Sequence, residues 1–173
     1  MLDLKRRTNL YKGRVWKFGD EIDTDQIYPG KYLPLTDKGE MVQHAMEGVP
    51  GVDNFIKNVK PGDIIVAGKN FGSGSSREHA AVAIKGAGIV LIIAESVARI
   101  FYRNCVNMAL PVLELKKAGE ISQGNIIEVN IVNGVIKNIT TGRFYKAKPL
   151  SGLEMTIMEA GGLLPYLKKH PPK

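Results

Sequence analysis

A chain of 173 residues with 44% hydrophobic content can bury one sizeable core and little more, so a single domain spanning 1–173 is the expectation. The formal net charge of +7 invites a nucleic-acid reading, but Lys5, Arg6, Arg7, Lys168, Lys169 and Lys173 carry six of the positive charges at the chain ends. No basic strand interleaved with aromatics accompanies them, which argues against a nucleic-acid partner. No apolar run reaches the ~18 residues of a membrane span, and the N-terminus has no signal-type apolar core, so the expectation is a cytoplasmic protein with no membrane partner.

In chain order, residues 1–12 read as a flexible or peripheral start. A polar block follows, Gly19-Asp20-Glu21-Ile22-Asp23-Thr24-Asp25-Gln26-Ile27-Tyr28-Pro29-Gly30. From Lys31 to Val59, Pro34, Gly39, Gly48, Pro50 and Gly51 break any long element around a short helix at 38–46; the segment reads as a loop-rich excursion placed to cover a site. Residues 62–115 then alternate: a strand near 62–68, a helix near 75–86, a buried strand over 89–94, a helix near 96–108 and a strand over 111–115. This βαβαβ order predicts an α/β fold with parallel strands and right-handed crossovers. Further on, two strands over 126–132 and 135–140 flank Asn133-Gly134, a hairpin signal. A helix near 151–160 ends at Gly161-Gly162, as a glycine C-cap would end it.

The densest chemistry lies in Gly68-Lys69-Asn70-Phe71-Gly72-Ser73-Gly74-Ser75-Ser76-Arg77-Glu78-His79. Glycines, paired hydroxyls and an arginine stand where a buried strand meets a helix, and unpaired N–H groups with the positive end of the helix dipole favour a carboxylate, a phosphate or a developing oxyanion. Ser75-x-x-Glu78 is also the pattern of a capping box, and the residues by themselves leave both readings open. A dinucleotide fingerprint would need glycine where Arg77 stands, and the Walker A sequence is absent.

Cys105 is the only cysteine, so the chain has neither a disulfide framework nor the ligands for an iron–sulfur cluster, and no spaced His/Cys pair suggests zinc; a buried structural thiol is the reading. His79 reads as a packing residue, and His44 and His170 are assigned no catalytic part. Arg99 and Arg103, four apart on one helical face, suit either a partner chain or a solvated ion-pair face with Glu95, one turn before Arg99.

The polar block and the glycine run, together with Gly13-Arg14-Val15-Trp16-Lys17-Phe18-Gly19-Asp20, Ala98-Arg99-Ile100-Phe101-Tyr102-Arg103-Asn104 and Glu159-Ala160-Gly161-Gly162-Leu163-Leu164-Pro165-Tyr166, are spread over nearly the whole chain, from Gly13 to Tyr166. In that order they resemble the swivelling domain of the aconitase superfamily, nearest to the stand-alone small subunits of the 3-isopropylmalate dehydratases, or isopropylmalate isomerases. The resemblance implies a three-layer β/β/α fold with a mixed, partly closed sheet and a C-terminal β-hairpin region. It implies a hydro-lyase of leucine biosynthesis that interconverts 2- and 3-isopropylmalate by dehydration and rehydration, active only with a large subunit that carries a [4Fe-4S] cluster. No cofactor or metal is then expected on this chain, whose partners are the large subunit and a small hydroxy-dicarboxylate, with self-association when isolated. By the same resemblance Ser75 is the proton-abstracting base, supported by the backbone of Gly72, Ser73 and Gly74. Ser76 and Arg77 bind a substrate carboxylate, Asp23 orients Arg77 or serves as a turn or cap residue, and Leu33, Pro34, Leu35 and Thr36 form a substrate-contacting loop that offers no cation. Homoaconitase and citramalate or dimethylmalate dehydratase small subunits are the enzymatic alternatives; an anion-binding module or an assembly subunit is the non-enzymatic one.

Overall fold

The computed structural model, which describes residues 9–172, begins with strand β1 (Leu10–Lys17), whose apolar positions are interrupted by Lys12, Arg14 and Lys17 and so do not announce a strand. Helix α1 (Thr24–Ile27) follows, then a 3₁₀ turn at Gly30–Tyr32, α2 (Lys38–Val42) and α3 (Phe55–Asn58). The alternating unit comes next as β2 (Ile64–Ala67), α4 (Glu78–Gly86), β3 (Leu91–Ala94), α5 (Arg99–Asn107) and β4 (Val112–Glu114). Strands β5 (Ile126–Asn130), β6 (Val135–Asn138) and β7 (Phe144–Lys146) precede α6 (Gly152–Ala160) and α7 (Leu163–Lys169).

All seven strands join one mixed sheet in the order β4-β3-β2-β1-β5-β6-β7. The half built by βαβαβ connections is parallel as expected, with Ile64 opposite Leu91 and Ile92 opposite Val112. At the centre β1 pairs parallel with β2, Val15 opposite Ile64, and antiparallel with β5, Leu10 opposite Asn130. The first three residues of β1 therefore belong to the sheet although 1–12 read as peripheral; residues 1–8 of that segment lie outside the described ones. The sheet curls until its two edges meet, where the Lys148 amide beyond β7 donates to the Glu114 carbonyl of β4 at 3.4 Å.

Every residue of β2 and β3 is buried, which is why these strands read as unbroken apolar runs. One face, carrying Ile65, Ala67, Ile92 and Ala94, packs against Ala80, Ala81, Ala83 and Ile84 of α4 and Phe101 and Cys105 of α5. The alanines let α4 lie close to the sheet. The other face, with Ile64, Val66, Leu91 and Ile93, meets Ile127, Val129 and Ile136 of the antiparallel half and Ile157 and Met158 of α6. These are the helix-on-sheet and sheet-on-sheet layers of a three-layer β/β/α arrangement.

Several boundaries differ from the sequence reading. The excursion over 31–59 is a packed layer, since Met41, Ala45, Met46, Val49 and Phe55 are buried in the helix-side core, although its helix ends at Val42. The hairpin is present, but Val129 pairs with Ile136 and a four-residue loop intervenes, because the Asn130 carboxamide accepts from the amides of Val132 and Asn133 and turns the chain early. Helix α6 ends at Gly161, in the left-handed conformation, as predicted.

Candidate active site

The glycine run leaves β2 and is pinned by the polar block lying beside it. Glu21 N–H donates to the Lys69 carbonyl at 2.8 Å, Gly72 N–H to the Ile22 carbonyl at 2.7 Å and Thr24 N–H to the Ser73 carbonyl at 2.8 Å. The Thr24 hydroxyl donates to the Ser75 carbonyl at 2.9 Å. On its other flank, Phe71 exchanges backbone bonds with Ser96 and Ala98, just ahead of α5. Only glycine fits at 72: its φ is +79°, and a Cβ would lie 2.2 Å from the Phe101 ring.

Helix α4 starts at Glu78 with Arg77 as its N-cap, so the Ser75 side chain caps nothing and the Ser75–Glu78 capping box is not formed. Ser75 and Ser76 are exposed beside the exposed Gly74. Among the described residues the Ser75 hydroxyl has no hydrogen-bond partner, and neither do the backbone amides of Gly74, Ser75 and Ser76. The Gly72 amide, in contrast, is committed to Ile22, so the anion-stabilising donors of this turn are those at and beyond Gly74.

The Arg77 side chain is only 17% exposed, and its Nη1 donates to Asp25 Oδ1 at 2.6 Å and to the Tyr28 carbonyl at 3.1 Å. Its Nη2 and Nε have no protein partner among the described residues, leaving one edge of the guanidinium fork for a ligand. Asp25 also accepts from the Gly30 amide at 2.8 Å, and the Arg77 hydrogen bond together with that amide holds its carboxyl below the usual carboxylate range. Gly30 lies so close that a Cβ there would stand 3.2 Å from Arg77 Nη2.

Asp23 does not orient Arg77 directly. Its carboxylate accepts from the Gln26 amide at 2.8 Å while the Gln26 side chain accepts from the Asp23 amide at 3.0 Å, a capping box that fixes α1 and, through it, Asp25. Asp23-x-x-Gln26 carried that signature in the sequence, whereas the partnership of Asp25, Tyr28 and Gly30 with Arg77 depends on the phase of a one-turn helix and had no separate signal. Tyr28, fully buried, stacks on His79 at 5.5 Å and donates to the Tyr32 carbonyl at 2.7 Å; burial pushes its phenol pKa up. The Tyr32 ring in turn stacks on His44 at 3.5 Å, and its hydroxyl donates to Glu47 at 2.5 Å.

The loop that starts from this anchor presents Leu33, Pro34 and Thr36 to solvent, while Leu35 is half-buried against the helix-side core. The structure thus places Ser75, Ser76 and Arg77 on one turn and connects the 33–36 loop to it through Gly30. Cys105 is fully buried and its thiol pKa is raised by burial, as a protonated packing residue requires. Among the described residues no group of three His, Cys, Asp or Glu could hold a metal ion, and no helix is long and apolar enough to cross a membrane. Arg99 has no ion pair with Glu95, so the solvated ion-pair face is not formed.

The family model "Aconitase C-terminal domain" matches residues 18–118. The isopropylmalate/citramalate isomerase small subunit of Methanocaldococcus jannaschii is 55% identical over 162 residues, covering 93% of this chain and 95% of that protein. The 3-isopropylmalate dehydratase small subunit 1 of Thermotoga maritima is 52% identical, with 93% and 96% covered. A crystal structure of 3-isopropylmalate dehydratase from Methanocaldococcus jannaschii superposes with a TM-score of 0.88 at 48% identity, covering 93% of this chain and 95% of that one.

Proposed function

The chain belongs to the aconitase C-terminal domain family, and from that premise we propose that it is the small subunit of a heteromeric hydro-lyase that interconverts 2-isopropylmalate and 3-isopropylmalate in leucine biosynthesis. The observation that carries the reading is the exposed turn itself. An unpartnered Ser75 hydroxyl, free amides and the open edge of a guanidinium stand together at a helix N-terminus.

The hard step of such a reaction is removing a proton from carbon. Ser75 takes that proton as an alkoxide, an anion that an ordinary serine does not form; the free amides of Gly74–Ser76 and the α4 dipole supply the stabilisation. Ser73 and Gly72 hold the turn in place, the latter by committing its amide to Ile22. Arg77 grips a substrate carboxylate with Nη2 and Nε while Asp25 and the Tyr28 carbonyl fix Nη1, and Ser76 donates to the same carboxylate. Asp23 acts one step removed, by capping the helix that carries Asp25.

The residues of this chain do not fit a [4Fe-4S] cluster, because the only thiol is buried and protonated. On this reading the cluster belongs to the large subunit, where it would supply Lewis-acid chemistry for loss of the hydroxyl, and the complete site forms where the two subunits meet. The two apolar layers share one sheet, which supports treating the chain as a single domain, and we assign the enzyme to the cytoplasm. Citramalate is the second substrate to test, since one relative's name carries both acids and both are malates with an apolar substituent.

Co-expression with the large subunit and kinetics on isopropylmalate test the assignment. Ser75→Ala is expected to lower kcat by at least ~10³ with the subunits still associated, and Arg77→Lys to raise KM mainly, by ~10-fold or more. Normal turnover in Ser75→Ala would remove serine from the chemistry.

A further inference from the structure

A cavity of about 490 Å³ opens between α5 and the start of α6, away from Ser75 but linked to its turn. Arg99 and Arg103 of α5 and Lys148 line it together with Tyr102, Glu114 and Glu154. Both acids are occupied. Glu114 Oε1 accepts from the Val97 amide at 3.1 Å, and Glu154 accepts from the Ser151 amide at 2.7 Å and pairs with the Tyr102 hydroxyl. The three cations have no carboxylate partner among the described residues. Two nine-residue helices also begin here, at Arg99 and at Gly152, and turn their positive ends toward the same space. The wall thus carries three cations against two carboxylates, and both carboxylates are already held by donors of this chain.

Its position matters as much as its charge. The Phe71 amide donates to the Ser96 carbonyl at 3.0 Å and the Ala98 amide to the Phe71 carbonyl at 3.0 Å, so the first turn of α5 is tied to the strand end from which the catalytic turn springs. Next to Arg99 on that turn, Ile100 is 51% exposed, an apolar side chain left beside two unpaired guanidinium groups. An apolar anchor flanked by arginines is the composition of an interface core.

We propose that this cavity is the docking socket for an acidic segment of the large subunit: carboxylates of that partner pair with Arg99, Arg103 and Lys148 while Ile100 is buried against it. The proposal rests on the heteromeric reading above. Its consequence is that subunit affinity and chemistry are controlled by different residues of one chain, the first by α5 and the second by the Gly74–Arg77 turn.

Titration calorimetry of this chain against the purified large subunit, at low and at high salt, tests it alongside kinetics. Arg99→Glu/Arg103→Glu is expected to raise the dissociation constant at least ~30-fold at low salt and to flatten its salt dependence, with kcat at saturating large subunit within ~3-fold of wild type. Lys148→Glu, in the segment between β7 and α6, is expected to act in the same direction. Both arginines are exposed and make no hydrogen bonds, so the fold tolerates their reversal, and an unchanged melting temperature verifies that. Ser75→Ala should leave the dissociation constant alone while abolishing turnover, which separates this proposal from the functional assignment. Wild-type affinity in both charge reversals would overturn the socket, as would binding of malonate in the cavity with no effect on subunit affinity. Failure of the wild-type chain to bind the large subunit at all would overturn the heteromeric reading as well.

Discussion

At the residue scale, the site shows how two chemically identical side chains are given different tasks by their place on one helical turn. Asp23 caps α1 and Asp25, two residues on, meets Arg77, yet both stood in the same acidic run and only the capping pattern was legible. The polar residue with the largest structural burden lies elsewhere. Asp63 is 4% exposed and accepts from Arg14 at 2.9 Å, the Trp16 indole at 2.8 Å and the Lys60 amide at 2.9 Å. Burial alone would raise its carboxyl, but these donors outweigh it and hold the group below the usual range. A depressed folded-state value contributes stability that is present above the unfolded pKa, about 3.9, and is lost as pH falls through the folded value. Melting curves should therefore show wild type weakening below about pH 4. Asp63→Asn is expected to cost about 1.5–3 kcal/mol at pH 7 in urea titrations and to show a shallower acid limb. An acid limb as steep as that of wild type would assign the acid loss to other carboxylates.

At the scale of elements, the βαβαβ unit and α6 were legible because β2 and β3 are buried throughout and read as unbroken apolar runs, and because glycine ends α6. The start of α4 was not. Ser75 and Glu78 have capping-box spacing, but the bonds from Thr24 to the carbonyls of Ser73 and Ser75 hold the turn extended and delay the helix to Glu78. Tertiary contacts overrode a local signal there, and the result frees the serine. Strand β1 was hidden by its charges, and β7, three residues long with only Tyr145 buried, left too short a pattern to read. The 33–36 loop carries the specificity prediction. With Leu33 and Pro34 exposed and no cation among the four residues, an extra substrate carboxylate would find no partner there. We expect kcat/KM for isopropylmalate to exceed that for homoaconitate by ~10² or more, and Leu35→Arg to narrow or reverse the ratio. Parallel kinetics on the assembled wild type and variant check this; equal use of both acids, unchanged by the substitution, would mean that the loop does not read the substituent.

At the scale of the whole molecule, the family was legible in the ordered sequence blocks between Gly13 and Tyr166, while the reason this chain needs a partner lies in what its turn leaves open. The purified chain is expected to carry no iron and to show no turnover on hydroxy-dicarboxylates, and to gain activity when cluster-loaded large subunit is added. Metal analysis and an absorbance assay for the unsaturated product check both statements, and stoichiometric iron on the isolated chain would contradict them. A last consequence follows from β1, which sits at the centre of the sheet with β2 on one side and β5 on the other. During synthesis this strand leaves the ribosome before either neighbour, and its second edge waits until residues 126–130 have emerged. The first of the described strands thus waits longest for its second neighbour, and it spends that interval as an open template for other nascent chains. Its Lys12, Arg14 and Lys17, which obscured it as a strand, supply the mutual repulsion that keeps such copies apart until the sheet closes.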